Sequence, residues 1–319
     1  MTSGITIIMY HYVRELARSR FPSIKGIDVQ KFDNQIKALM SRYTIIGFEE
    51  INEYRNGKGR MPKDPCILTF DDGFADHYRY AFPALLENGV KGVFFPSRSP
   101  VEDGKVLDVH KIHHILASID DPGELLREVY DICDDEESLP KSTELRAYFD
   151  RFENRSRFDI KEISFLKSIL QKGLRREERS MIIDKLFRCY VTIDEKALAE
   201  ELYMSMPQMR AMRRNGMEFG GHGDLHDWME EMCPEDQVRE VTGSIKMLGE
   251  IYGVPPMNWV MSYPYSSHND VTIEILREHG CSCAVTTVPK LASLDNLYEM
   301  GRYDTNDVGS IMGSTNSSQ

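Results

Sequence analysis

Short runs of apolar and β-branched residues recur along the chain, with amphipathic stretches between them. The most strand-like runs occupy residues 5–10, 66–70, 90–95, 217–221, 259–265 and 281–287. Such short, nearly continuous apolar runs are typical of strands buried on both faces of a parallel sheet. An amphipathic helix is predicted over residues 29–43. Its apolar face consists of Phe32, Ile36, Leu39 and Met40.

The alternation of strand and helix predicts an α/β fold, either an open sheet or a closed barrel, whose working residues lie at the carboxyl ends of the strands. Between residues 105 and 210 strand-like runs nearly vanish and charged helical stretches dominate. We therefore predict a main unit split into residues 1–104 and 211–312, with a helical insertion at 105–210. The polar tail at 313–319 is predicted to be disordered.

Composition excludes several classes of function. The chain has 319 residues and a formal net charge of −12, so it repels phosphate backbones and nucleic acid is not an expected partner. It has no apolar run near the ~18 residues that a spanning helix needs, and its first residues show no basic leader or cleavage site. Its six cysteines are too sparse for a disulfide framework. We expect a cytoplasmic protein with reduced thiols.

The first candidate for chemistry is the end of the strand at 66–70, where Asp71 and Asp72 precede Gly73. Aspartate and glycine are ordinary turn residues, so a plain turn would explain the pattern equally well. Two adjacent carboxylates in one pocket repel each other unless a cation or a shared proton compensates them. Because successive strand residues point to opposite faces, only a turn at Gly73 would let both carboxylates address one site.

The second candidate is the pair His222 and His226, which follows the strand-like run at 217–221. Another pair with the same spacing, His110 and His114, opens the helical insertion, where it is more simply interpreted as part of a helix face. Only the first pair follows a strand end, as the two aspartates do. One carboxylate with two imidazoles is a three-ligand metal set, and the remaining carboxylate is then placed to act as a general base.

Two further segments stand at strand ends. Residues 262–266 read Ser-Tyr-Pro-Tyr-Ser, and residues 9–13 read Met-Tyr-His-Tyr-Val. An X-Pro strand exit and a lone buried histidine at position 11 are the simpler interpretations of each segment taken alone.

Taken together, the segments at 69–73, 222–226 and 262–266 resemble the three ordered motifs of the polysaccharide deacetylase superfamily, the NodB-homology carbohydrate esterases. The resemblance covers residues 1–100 and 200–305. It implies a distorted (β/α)7-type barrel with a helical insertion, which hydrolyses an N-acetyl group, or in some members an N-formyl or O-acetyl group, from a sugar with one bound divalent metal.

The resemblance also implies roles for individual residues. Asp72, His222 and His226 would bind the metal, and Asp71 would be the catalytic base. The backbone N–H of Tyr265 would stabilise the oxyanion. Zinc is the default metal for two imidazoles and one carboxylate, but Fe(II), Co(II) and Ni(II) also suit that set.

The sequence departs from the family pattern in three places. Ser262 stands where many members have an arginine that orients the base, and Gly223 replaces the usual serine or threonine. The late histidine that serves as general acid has no clear match. His11 and His268 are candidates for that role, or the proton held by Asp71 is used again. With Pro264 and Tyr265, the two histidines are also the predicted substrate-binding residues.

A cytoplasmic enzyme of this kind is expected to act on a small sugar or on a nucleotide-linked or lipid-linked intermediate of glycan synthesis. Two alternatives stay open at the level of sequence. One is an amidohydrolase acting on a non-sugar substrate, since fold and ligands do not fix the leaving group. The other is a carbohydrate-binding relic that has lost turnover.

Overall fold

The computed structural model describes residues 4–154 and 159–313. The strands in these ranges are β1 Thr6–Tyr10, β2 Val13–Arg14, β3 Ile27–Asp28, β4 Thr44–Ile46, β5 Pro65–Asp72, β6 Val93–Pro96, β7 Glu218–Phe219, β8 Trp259–Ser262, β9 Cys281–Val285 and β10 Tyr303–Asp304. The α-helices are α1 Val29–Met40, α2 Phe48–Arg55, α3 Phe82–Glu87, α4 Arg98–Glu102, α5 Asp108–Ala117, α6 Pro122–Asp135, α7 Ser142–Arg151, α8 Lys161–Ser168, α9 Arg176–Tyr190, α10 Glu195–Leu202, α11 Met206–Arg214, α12 Pro234–Tyr252, α13 Asp270–Glu278 and α14 Val308–Gly313.

The main parallel strands form a closed order. One sheet runs β10-β1-β5-β6-β7, with β4 also pairing β5, and a second pairs β8 with β9. Two isolated parallel bridges join them, Gly221 with Met261 and Val285 with Met300. Met300 lies three residues before Tyr303, the first residue of β10, so the order leads back toward β1. The fold is α/β with a parallel sheet, as predicted, and this closed order of strands agrees with the distorted barrel that the resemblance implies.

Alternation along the strands separates two apolar cores. In β5, Leu68 and Phe70 belong to the core that also contains residues of α1, α3, α11, α12 and α13. Ile67 belongs to the second core, with Ile7, Phe95, Val260 and Cys283 of neighbouring strands. Since side chains two residues apart share a face, Thr69 and Asp71 follow Ile67 into the interior of the ring. A buried carboxylate therefore lies at the carboxyl end of the inner core.

The chain divides into two compact units. The first comprises residues 1–15, 25–105 and 199–319, and the second comprises residues 16–24 and 106–198. The predicted boundaries differ from these at two points. Residues 199–210 belong to the first unit, because Met209 and Met212 of α11 pack in its core. Residues 16–24 belong to the second, where Phe21 contacts His114 edge-on at 4.7 Å.

The predicted elements agree with the observed ones apart from some details. Each of the six strand-like runs contains a strand, and α1 lies within its predicted range. The face of α1 was predicted to bury Met40, but that residue is 37% exposed because the helix ends there. Residues 314–319 of the predicted disordered tail lie outside the described residues. Within the described ranges, no helix is long and apolar enough to cross a membrane.

Candidate metal centre and active site

The two aspartates at the end of β5 are brought to one site by the backbone. Asp72 has a φ of 73° and Gly73 a φ of 70°, so the chain turns through the left-handed region at both residues. A Cβ at Gly73 would lie 2.6 Å from Pro96 Cβ, so only glycine fits there. The turn was predicted at Gly73, but it already begins at Asp72. The Asp72 side chain therefore does not follow the alternating pattern of the strand.

Asp72 meets both histidines of the 222–226 segment, which we call the histidine loop. Its Oδ1 lies 3.3 Å from His222 Nε2 and 3.5 Å from His226 Nε2. The ligand atoms of these three residues all lie within 4.8 Å of one another. Among the described residues, no other group of three or more histidine, cysteine or acidic side chains has this arrangement.

These three residues fit a divalent metal ion. Ligand atoms that are 2.0–2.1 Å from one tetrahedral ion lie about 3.4 Å apart, which is close to both observed spacings. His222 Nδ1 lies 2.7 Å from the backbone oxygen of Ser262. Because a carbonyl oxygen only accepts, Nδ1 carries the proton and Nε2 is left with its lone pair toward Asp72. The carboxylate and two oriented imidazoles are a donor set typical of zinc and of several other transition metals.

Asp71 is held by an arginine from the opposite end of the sequence. Arg302 Nη1 donates to Asp71 Oδ1 at 2.8 Å, and Arg302 Nη2 donates to Oδ2 at 2.6 Å. Both side chains are buried, with Arg302 completely inaccessible. The guanidinium is itself fixed by Thr286 O at 3.0 Å and by Thr69 Oγ1 at 3.2 Å. Such a two-point contact fixes the orientation of the carboxylate as well as its charge.

Ser262 completes the environment of this carboxylate. Its hydroxyl donates to Asp71 Oδ2 at 3.2 Å and accepts from Arg302 Nη2 at 3.0 Å. Burial by itself would raise the pKa of Asp71, but the charge and hydrogen bonds of Arg302 outweigh it and lower the pKa to about 2. Asp71 is therefore an ionised, oriented carboxylate at neutral pH.

The third motif lies against the histidine loop. Tyr265 has a φ of 54°, a left-handed backbone that is uncommon for an aromatic residue. Its ring contacts His226 edge-on at 4.8 Å and stacks on Trp228 at 4.5 Å. Pro264 is buried beside Gly223, whose Cβ position lies 3.5 Å from Pro264 Cγ. The predicted residues Pro264 and Tyr265 are thus neighbours of the metal-binding histidines.

The two candidates for the general acid differ in their surroundings. Tyr10, the last residue of β1, pairs with Phe70 of β5, so His11 follows β1 beside the position of Asp71. His268 has contacts at both ring nitrogens, with Ser266 O at 2.9 Å and Glu299 Oε1 at 3.2 Å. It also stacks on Tyr263 at 4.4 Å. The geometry favours His11 over His268 as a neighbour of the base.

The other histidine pair lies in the second unit. His110 and His114 are both completely buried on α5, and His114 Nδ1 donates to the backbone oxygen of His110 at 2.7 Å. No third metal-binding side chain joins them within the described ranges. Their environment agrees with a packed helix face, which is the simpler of the two interpretations.

Arg302 is the functional residue that sequence reasoning missed. The loss of the motif arginine at Ser262 was evident, yet a buried aspartate still needs a compensating cation. The need for a cation beside Asp71 indicates that a basic residue from elsewhere in the chain takes the place of the missing motif arginine. Nothing in local sequence shows that the segment before β10 lies beside Asp71, because only closure of the ring brings them together.

Comparisons with known proteins agree with the geometry. Residues 190–284 match the family model described as Polysaccharide deacetylase, a range that contains the second and third motifs. YxkH of Bacillus subtilis (strain 168), a protein named as a candidate polysaccharide deacetylase, is 25% identical over 108 residues, 34% of this chain and 38% of that protein. The matched region thus spans less than half of this curated relative.

Solved structures extend the likeness over nearly the whole chain. The deacetylase PplD of Streptococcus pyogenes, in complex with acetate, has a TM-score of 0.56 at 18% identity, over 95% of this chain and 93% of that one. IcaB from Ammonifex degensii has a TM-score of 0.57 at 18% identity, over 97% and 95% of the two chains. At such identities the likeness concerns the fold. Together the matches confirm the resemblance to the polysaccharide deacetylases.

Proposed function

We propose that this chain, which resembles the polysaccharide deacetylases in sequence and fold, is a metal-dependent hydrolase that removes an N-acetyl group from a sugar. The single observation that carries the proposal is the convergence of Asp72, His222 and His226 beside the ionised Asp71. These residues come from strand ends far apart in the sequence, and no structural need of the barrel calls for them to meet.

The metal site is proposed to consist of Asp72 Oδ1 and the Nε2 atoms of His222 and His226. When bound, a divalent cation supplies Lewis-acid polarisation of the acyl carbonyl and makes water a better nucleophile at neutral pH. Zinc is our first choice, with Fe(II), Co(II) and Ni(II) as alternatives that the same donors accept.

The protein's own groups account for the proton transfers. Asp71 takes a proton from the attacking water while Arg302 keeps its carboxylate oriented. As the water oxygen bonds to the carbonyl carbon, the backbone N–H of Tyr265 donates to the developing oxyanion. The carbon–nitrogen bond then breaks, and the amine leaves with a proton from His11 or from Asp71 itself. The products are acetate and the free amino sugar.

The substrate is proposed to be a sugar with an N-acetyl group, free or as part of a glycan intermediate linked to a nucleotide or a lipid. The family model and the fold of its relatives support the sugar. The proposed linkage of the sugar to a nucleotide or lipid, and the proposed cytoplasmic location, rest on the sequence argument alone. Cell fractionation tests the location.

The proposal is tested by measuring acetate release from a panel of N-acetylated sugars and sugar nucleotides. We expect turnover that stops after chelation and returns with Zn²⁺. The variant Asp71→Asn is expected to bind Zn²⁺ as the wild type does but to release acetate at least about 10²-fold more slowly, because the three proposed ligands are kept while the base is lost. Turnover that is insensitive to chelation would overturn the metal mechanism.

The same measurements test the two alternatives. If the protein is a binding relic, Asp71→Asn should change no rate while sugar binding persists. The contact with buried Arg302 argues against this, because it keeps Asp71 ionised and oriented as a base, which a relic does not require. For a non-sugar amide, mass spectrometry of the products would show a leaving group other than an amino sugar.

A further inference from the structure

A buried carboxylate on α12, that of Glu240, binds the backbone of the histidine loop. Glu240 Oε2 accepts from the backbone N–H of Asp224 at 2.6 Å, and from that of Leu225 at 3.0 Å. The other oxygen, Oε1, accepts from Leu225 N–H at 3.2 Å. Glu240 is only 3% exposed. Asp224 and Leu225 are two of the three residues between His222 and His226.

The opposite side of the loop is held by the start of α4. Ser97 Oγ donates to His222 O at 2.9 Å, and the N–H of Ser99 donates to Asp224 O at 3.1 Å. Carbonyl groups of the histidine loop therefore accept from residues at the start of α4, whereas the N–H groups of Asp224 and Leu225 donate to Glu240. Among these contacts, Glu240 is the side chain that binds two consecutive amides.

Gly223 is matched to this carboxylate. Its φ is 73°, and a Cβ at this position would lie 2.6 Å from Glu240 Oε2. A side chain at residue 223 and the carboxylate of Glu240 thus compete for the same space.

We propose that Glu240 is a positioning residue for the metal site, which sets the separation of His222 and His226 by binding the amides of Asp224 and Leu225 between them. It acts through the backbone of the histidine loop. The inference rests on the proposed metal site, and it adds a dependence of metal affinity on a residue outside the three motifs.

The first test measures Zn²⁺ affinity of the metal-free protein by competition with a chromophoric chelator. Glu240→Ala removes both acceptor oxygens, whereas Glu240→Gln keeps one amide oxygen that can take the place of Oε2 and accept from both N–H groups. We expect Glu240→Ala to bind Zn²⁺ about 10–100-fold more weakly, as is typical when a group that orients a ligand is lost, and Glu240→Gln to lie between that variant and the wild type. We also expect the visible absorption bands of bound Co²⁺ to change, since the two imidazoles are no longer held at the same separation.

Glu218 provides a matched control. It is equally buried, and its carboxylate accepts from two consecutive amides, those of Phe48 at 2.7 Å and Glu49 at 3.2 Å. It begins β7, four residues and about 13 Å of strand before His222. Glu218→Ala is therefore expected to lose a comparable backbone contact and to bind Zn²⁺ with wild-type affinity. Circular dichroism shows whether each variant is folded at the temperature of the titration.

The second test is a cycle with Gly223→Ser. In the presence of Glu240 the serine has no room, so metal binding weakens; in the Glu240→Ala background the space is open. The backbone strain of serine at positive φ is the same in both backgrounds. We expect the double variant to bind Zn²⁺ at least about fivefold more tightly than the product of the two single effects predicts.

The outcomes separate this inference from the proposed function. A wild type that binds neither Zn²⁺ nor Co²⁺ overturns both. A wild type that binds Zn²⁺ while Glu240→Ala and Glu240→Gln bind it equally well overturns only the role of Glu240. That role is also excluded if Glu218→Ala weakens Zn²⁺ binding as much as Glu240→Ala does, or if the effects in the cycle simply multiply.

Discussion

The buried pair of Arg302 and Asp71 makes the most direct prediction. Arg302→Gln removes the positive charge and the two-point contact, and leaves a carboxylate that is only 2% exposed without its cation. Removing one partner of such a pair typically destabilises a protein by about 3–5 kcal/mol. For a unit of this size that corresponds to a fall of about 10 °C in Tm.

The control is the neutral double variant. Asp71→Asn alone leaves Arg302 buried without its anion and is also expected to lower Tm. In the double variant Asp71→Asn and Arg302→Gln neither charge is left, so much of the loss is expected to return. Arg302→Lys keeps the charge but not the fork of donors, and its Tm is expected to lie between those of the wild type and Arg302→Gln.

Differential scanning calorimetry of the metal-free proteins measures all four variants. The metal is left out so that changes in its binding do not enter the comparison. If Arg302→Gln melts within about 2 °C of the wild type, the ion pair does not have the energetic role that its burial indicates. The same conclusion follows if the double variant is as unstable as the sum of the single variants.

Three further predictions concern other parts of the first unit. Burial raises the pKa of Glu218 from 4.5 to about 7, so the folded state holds a proton that the unfolded state has lost between these values. Stability should therefore fall as pH rises through that window. Because the raised pKa of Glu240 gives a fall of the same sign, Glu218→Gln should show a fall in urea titrations that is up to about 3 kcal/mol smaller than that of the wild type. Tyr265→Gly keeps the backbone N–H and is expected to retain kcat within about tenfold while KM rises, whereas a larger loss of kcat would assign catalysis to the ring. His11→Ala is expected to lower kcat for acetate release more than His268→Ala does, and equal rates in the two variants would exclude both as the acid.

Part of the fold and of the site followed from the sequence. Buried parallel strands are apolar nearly throughout, so runs such as residues 66–70 and 281–287 could be identified without coordinates. The candidate metal ligands could be located because strand carboxyl ends share one edge of a parallel barrel. Asp72 ends β5, and His222 and His226 follow β7. The choice of Asp72 over Asp71 came from the resemblance.

Other features were decided only by tertiary structure. The cation that compensates Asp71 comes from a segment more than 200 positions away, and the carboxylate that holds the histidine loop comes from the middle of a helix. Neither Arg302 nor Glu240 differs in local pattern from the many other charged residues of the chain. Hydrophobic periodicity determines which residues are buried, but it carries no information on which buried charge meets which. That pairing is fixed by the closure of the ring and the packing of α12 against it, where an unpaired charge or amide would be too costly to retain.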